Sequence, residues 1–239
     1  MQPDDLTRCA QADLTLVGTS GEEDSFLFEY SRRVVQSAHA IANLPSLREK
    51  MLELDPEALS VVAWYHAAGW AVRVRQGDVD RQYVLLSPLD ESLLDEAASL
   101  LVERLNGLLA ADCLHRAARA VRGLQDRSSD VLEVRVVAEA RALEEFGLLS
   151  LWPSIRRSML DGRGVQALLD TWRRKHEYQF WPARLKDAFQ FDEVREIARG
   201  RLRVLESFMA ALDSEHNGDD LFVSPTVSDL EPQKRSASS

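Results

Sequence analysis

The chain has 239 residues, of which 45% are hydrophobic and 28% are charged, a balance typical of a globular protein with a substantial core. Its net charge of −10 repels nucleic-acid phosphates and argues against general nucleic-acid binding. There is no signal-peptide pattern and no run of about 18 apolar residues, and Cys9 and Cys113 lie far apart, so we expect a cytoplasmic protein with no membrane span and no disulfide framework.

The first predicted elements are an arm and two helices. Residues 1–21 mix polar and small residues without sustained periodicity, which predicts a flexible N-terminal arm. From Ser25 apolar residues recur at helical spacing until Pro45 closes the segment. The second helix starts at 55–57, where Asp is a good N-cap and Pro suits the first helical turn, and Gly69 is predicted to end it.

The remaining chain is predicted to be helical apart from one segment. Apolar and charged residues alternate over 71–86, which predicts a short β-hairpin, although a loop fits nearly as well. Helical periodicity then returns, and residues 22–215 are predicted to form a single helical domain, followed by a disordered C-terminal tail over 216–239. The further helices are predicted within 91–110, 114–123, 128–147, 148–160, 165–178, 183–189 and 192–216.

Three segments carry a resemblance to a known family. The apolar segment VVAWYHAAGW, residues 61–70, resembles the LLHDxG segment of HD-superfamily metal-dependent phosphohydrolases. YSRRVV places Tyr30 where that family has its first His, and VVAEARALEEFG resembles the later VxDADxLD segment. The resemblance covers about residues 26–213 and implies an all-α, HD-domain-like helical bundle. In that family two His and two Asp hold a divalent metal ion, which activates water against a phosphoester.

The expected metal ligands are mostly replaced. Aligned with the family pattern, Tyr30 stands for His, His66 is retained, Ala67 stands for Asp and Glu139 for the later Asp, while Arg141 occupies the second Asp position of that segment. Alanine offers no electron pair, and the extra methylene of glutamate displaces its carboxylate. The resemblance therefore implies a degenerate site in which only His66 and Glu139 remain as metal ligands, and we expect no cofactor.

Two interpretations of His66 remain open. It is either a surviving ligand or acid/base group in an altered pocket, or a core histidine hydrogen-bonded by Tyr30 or Glu139.

A second group of residues indicates anion binding. WRRKHEYQFW, residues 172–181, interleaves cations with aromatic rings, which is typical of a nucleotide-binding surface but also of a solvated turn that anchors helices. Residues 151–203 contain 12 Lys or Arg against 7 Asp or Glu, so this region is positive in an acidic chain. The candidate anion-binding residues are Arg33, Arg173, Arg174, Lys175 and His176.

The function expected from these features is binding or regulation by an HD-fold protein that has lost phosphohydrolase activity. Its partner would be an anionic small molecule or another protein, and the long last helix could support an oligomer. The alternative is a divalent-metal phosphohydrolase that acts on a nucleotide-like phosphoester with an altered ligand set.

Overall fold

Helices account for most of the structure, a computed structural model that describes residues 1–18, 20–47, 53–126 and 128–222. A short antiparallel pair, β1 (Leu16–Val17) and β2 (Glu23–Asp24), joins the first two helices, with Leu16 opposite Asp24. The α-helices are α1 (Pro3–Leu14), α2 (Phe26–Ala42), α3 (Pro56–Tyr65), α4 (Gly69–Gln76), α5 (Glu91–Leu105), α6 (Ala111–Arg122), α7 (Leu132–Leu143), α8 (Leu151–Leu160), α9 (Val165–Glu177), α10 (Phe180–Ala188) and α11 (Asp192–Asn217). The all-α prediction is confirmed.

Helix α3 lies at the centre of the bundle. It packs against α2, α6 and α7, and every residue from Val61 to Trp70 is buried. The predicted start of this helix is confirmed, since the Asp55 side chain accepts hydrogen bonds from the backbone N–H groups of Glu57 and Ala58 at 2.9 and 3.0 Å. A helix that is apolar on all sides is stable only when neighbours enclose it, which explains the central position.

The prediction that Gly69 ends this helix is wrong. Helix α3 ends at Tyr65, a short turn follows, and Gly69 is the first residue of α4. A Cβ atom added to Gly69 would lie 2.1 Å from the carbonyl oxygen of Leu93 in α5. Glycine is therefore required for the close approach of α4 to α5.

The prediction of a β-hairpin over 71–86 is wrong. Residues up to Gln76 belong to α4, Gly77 caps that helix in the left-handed conformation, and a single 3₁₀ turn follows at Arg81–Tyr83. Alternation over so few residues does not distinguish a strand from a helix that packs on one side. Arg73 of α4 pairs with Glu96 of α5 at 3.1 Å, and the ion pair adds to the packing that favours the helix.

The N-terminal arm predicted for 1–21 is largely a packed helix. Leu6, Ala10 and Leu14 recur every four residues along α1 and are buried against the bundle. Asp13 is also buried, and its carboxylate accepts a hydrogen bond from the Tyr65 hydroxyl at 2.8 Å. These tertiary contacts order a segment whose local sequence pattern is too short to predict a helix.

The last four helices cover one side of this bundle. Helix α11 contacts α7, α9 and α10, while α8 packs against α9. Helix α11 continues to Asn217 and a 3₁₀ turn extends to Phe222, so residues 216–222 of the predicted tail are helical, and the rest of that prediction, 223–239, lies outside the described residues. No helix in the described ranges combines the length and apolarity needed to cross a membrane.

Candidate functional site

His66 lies immediately after α3 and is completely buried. Its Nδ1–H donates a hydrogen bond to the carbonyl oxygen of Ala63 at 2.8 Å, whereas its Nε2 is buried and has no hydrogen-bond partner in the described structure. Burial and the positive charge of Arg141 lower the pKa of His66 to about 3. The imidazole is therefore neutral at physiological pH.

The ring of Tyr30, a residue of α2, packs against this imidazole. The two rings are tilted by 48° with centroids 5.4 Å apart. Burial raises the pKa of Tyr30, and the nearby Arg141 guanidinium, which donates a hydrogen bond to the hydroxyl, opposes this shift. Tyr30 is thus a neutral phenol that contacts both His66 and Arg141.

Glu139 is directed toward a different part of the molecule. One of its carboxylate oxygens, Oε1, accepts hydrogen bonds from the backbone N–H groups of Gln190 and Phe191, at 2.5 and 2.9 Å, where α11 begins. Its Oε2 is buried and has no hydrogen-bond partner among the described residues, and burial raises the pKa of Glu139 to about 7. Of the two interpretations of His66, a core histidine agrees with its burial, but its hydrogen-bond partner is the backbone carbonyl of Ala63 and not Tyr30 or Glu139.

Arg141 is the residue of α7 that accompanies Tyr30 and His66. Positions 139 and 141 are separated by about 200° around a helix axis, so their side chains leave α7 in nearly opposite directions. The Nε of Arg141 is buried and has no hydrogen-bond partner in the described structure. Arg141 was not among the site residues predicted from the sequence. Its position at the second Asp of the family pattern was the available signal.

The structure therefore unites only part of the predicted ligand set. Tyr30, His66 and Ala67 lie together, Ala67 is fully buried, and Arg141 rather than Glu139 completes the group. Among the described residues no group of three or more His, Cys, Asp or Glu side chains is arranged to hold a metal ion.

A cavity of about 240 Å³ adjoins this group. Tyr30 and Arg141 form part of its wall, Lys175 and Phe180 form another part, and the segment before α5 contributes Leu85 and its neighbours. The Lys175 Nζ lies 5.0 Å from the Phe180 ring centroid and 5.1 Å from that of Trp181. Burial among these rings lowers the pKa of Lys175, and Glu145 opposes the shift.

The five residues predicted to bind an anion do not converge. Arg33 pairs with Glu144 at 2.7 Å, and Arg173 pairs with Asp213 at 2.6 Å. Arg174 is exposed, and His176 is an exposed residue whose ring packs edge-on against Trp172. Of the five, Lys175 alone lines the cavity beside Arg141.

Comparison with known proteins defines the class of fold. No protein-family model and no curated protein matches the sequence. A predicted HD superfamily hydrolase from an uncultured Thermotogales bacterium is similar in structure, with a TM-score of 0.54 and 13% identity over 89% of this chain and 92% of that one. YpgQ from Bacillus subtilis is similar with a TM-score of 0.55 and 15% identity over 89% and 94% of the two chains. Its complex with ADP aligns with a TM-score of 0.54 and 16% identity over 89% and 93%. The chain therefore shares the all-α fold of these solved structures, one of which is a predicted HD superfamily hydrolase.

Proposed function

We propose that this protein is an HD-fold binding module that works without a catalytic metal ion. The observation that carries the proposal is the Arg141 guanidinium beside Tyr30 and His66, where the resemblance to HD hydrolases places a divalent cation. The guanidinium of Arg141 neutralises anionic charge as a bound metal ion does. It does not bind water as a ligand, so it does not lower the pKa of water in the way a metal ion does.

The surrounding groups also disfavour a metal ion. The charge of Arg141 repels a divalent cation, Ala67 offers no ligand atom, and the Tyr30 ring packs on the one retained histidine. His66 does not line the cavity beside Tyr30, so a molecule bound there meets the phenol and the guanidinium instead. Among the structurally similar proteins, YpgQ is known in complex with ADP, which supports a phosphate-bearing molecule as the class of ligand proposed here.

Metal analysis and turnover assays test this function. Purified protein should contain less than about 0.1 equivalent of manganese, iron, nickel or zinc, a level well below that of a dedicated site. It should also hydrolyse no member of a panel of phosphomonoesters and nucleotides after metal addition. A stoichiometric ion together with turnover that is abolished in His66→Ala would instead establish the phosphohydrolase alternative.

Restoring the ligands tests the assigned positions. The triple variant Tyr30→His, Ala67→Asp, Arg141→Asp should bind manganese at least about tenfold more tightly than the native chain, because it removes a cation and adds three ligand groups. The matched control carries Glu139→Asp in place of Arg141→Asp and should show no comparable gain. Equal affinities in the two triple variants would contradict the placement of Arg141.

A further inference from the structure

We propose that the cavity lined by Tyr30, Arg141, Lys175 and Phe180 binds the phosphate group of a small phosphorylated molecule, with Arg141 and Lys175 as its direct ligands. The inference rests on the proposed function, since it requires a ligand pocket that is free of metal. It adds the class of ligand and the two residues that recognise it.

The first step of the argument is the local charge. Two carboxylates line the cavity, but each is already engaged by an arginine: Glu144 pairs with Arg33 at 2.7 Å, and Glu145 receives a hydrogen bond from Arg184 at 2.6 Å. A second arginine, Arg201, lies 3.9 Å from the Glu144 carboxylate. The cations of this group are Arg33, Arg141, Lys175, Arg184 and Arg201, and its carboxylates are Glu144, Glu145 and Asp187, the last of which interacts electrostatically with Arg184, so the difference is +2. This surplus favours a dianion over a singly charged ligand.

The second step is the state of the two cations on the cavity wall. Within the described residues, the Nε of Arg141 is buried and has no hydrogen-bond acceptor, and Lys175 lies beside aromatic rings with no carboxylate at ion-pair distance. Leaving a buried donor without an acceptor is costly, and a ligand with several acceptor oxygens removes that cost. Phosphate suits both side chains, because arginine binds it through a planar fork and lysine binds it as a point charge.

The third step is the volume of the cavity. Its 240 Å³ is below the range of about 300 to 1,000 Å³ typical of sites for drug-sized ligands, so a phosphate with a small organic group fits better than a whole nucleotide.

Two non-glycine residues of the described structure have positive φ angles, Leu85 at 63° and Gln179 at 53°. Leu85 lines the cavity and Gln179 directly precedes Phe180, and strained backbone of this kind is frequent around binding sites.

Calorimetric titration of the full chain with inorganic phosphate tests the site. Phosphate should bind saturably, whereas acetate at the same ionic strength should not. Arg141→Gln and Lys175→Gln should each weaken phosphate binding by about tenfold or more, the loss expected for one charge-assisted hydrogen bond. Arg174→Gln is the matched control, because it removes the same charge from an exposed position one residue from Lys175 and should leave binding within about twofold.

The possible results separate the two proposals. Absence of saturable phosphate binding by the native chain would overturn the phosphate site, as would equal weakening in Arg174→Gln and Lys175→Gln. Neither result would bear on the metal analysis and the turnover assays, which test the proposed function separately. If Arg141→Gln proves unfolded by circular dichroism, Lys175→Gln and its control decide the question. ADP serves as a further probe, and binding of ADP without binding of phosphate would also refute the site.

Discussion

Helices α3 and α8 have the same length and almost opposite environments. Each has ten residues, but α3 buries seven of them and α8 buries only Leu151. Helix α3 is apolar around its circumference, while α8 leaves Trp152 and Met159 exposed and holds Asp24 through Arg156. His66, which follows α3, is neutral and its Nδ1–H is bonded to the backbone, whereas the C-terminal helices place the cation Lys175 on the cavity wall.

Truncation of matched aliphatic residues should give the largest difference between the two regions. Leu59→Ala in α3 should lower the free energy of unfolding by about 2 to 5 kcal/mol, because it leaves a cavity among enclosed side chains. Ile155→Ala in α8, where the side chain is only partly buried, should cost roughly 1 kcal/mol. Urea denaturation measures both, and similar losses would show that α8 is as integral to the core as α3.

A buried carboxylate should make the stability of the native chain depend on pH. Because the pKa of folded Glu139 is raised from 4.5 to about 7, its folded state retains a proton that the unfolded state releases. Its stabilising contribution is therefore full below pH 4.5 and is lost as the pH rises to about 7, a change of up to about 3 kcal/mol.

Denaturation curves across this pH range should isolate the effect of that group. The difference in unfolding free energy between native protein and Glu139→Gln should shift in favour of Glu139→Gln as the pH rises from 4.5 to 7. Glu196→Gln removes an exposed carboxylate of α11 and should give a nearly constant difference from the native chain. A constant difference for Glu139→Gln as well would contradict the raised pKa.

Two glycines should respond to the same substitution with opposite sign. Gly69→Ala forces a methyl group onto the Leu93 carbonyl and should cost about 1 to 3 kcal/mol as α4 and α5 move apart. Gly200→Ala places a methyl group in open space within α11 and should stabilise the protein by about 0.5 to 1 kcal/mol. Thermal unfolding of the two variants measures these changes, and destabilisation by Gly200→Ala would indicate a contact of α11 that one copy of the chain does not show.

Local sequence signals predicted the fold where they were strong. The Asp55 cap, the apolar run after it and the helical periodicity of α2, α5 and α11 all correspond to observed helices. Prediction failed over α1 and α4, whose short segments adopt helix because they pack on the bundle and pair with its charged groups. Propensity and periodicity contain no information about such distant partners.

The candidate site shows the same limit on a smaller scale. Both sides of α7 are buried, so the apolar pattern of that helix does not reveal whether position 139 or position 141 faces α3. The sequence pattern placed both residues in the correct helical segment, but it led to Glu139 as the predicted site residue. In the structure Glu139 binds the start of α11, and Arg141 approaches Tyr30 and His66.

The amino-acid sequence by itself determined that the chain is helical, that an apolar helix delivers His66 to its end, and that Ala67 offers no ligand atom. These are properties of residue type and local spacing. Only the tertiary structure decided which charge lies beside that histidine and which lysine shares a cavity with it. Those relations depend on how helices far apart in sequence are rotated and packed against one another, and no local pattern specifies that rotation.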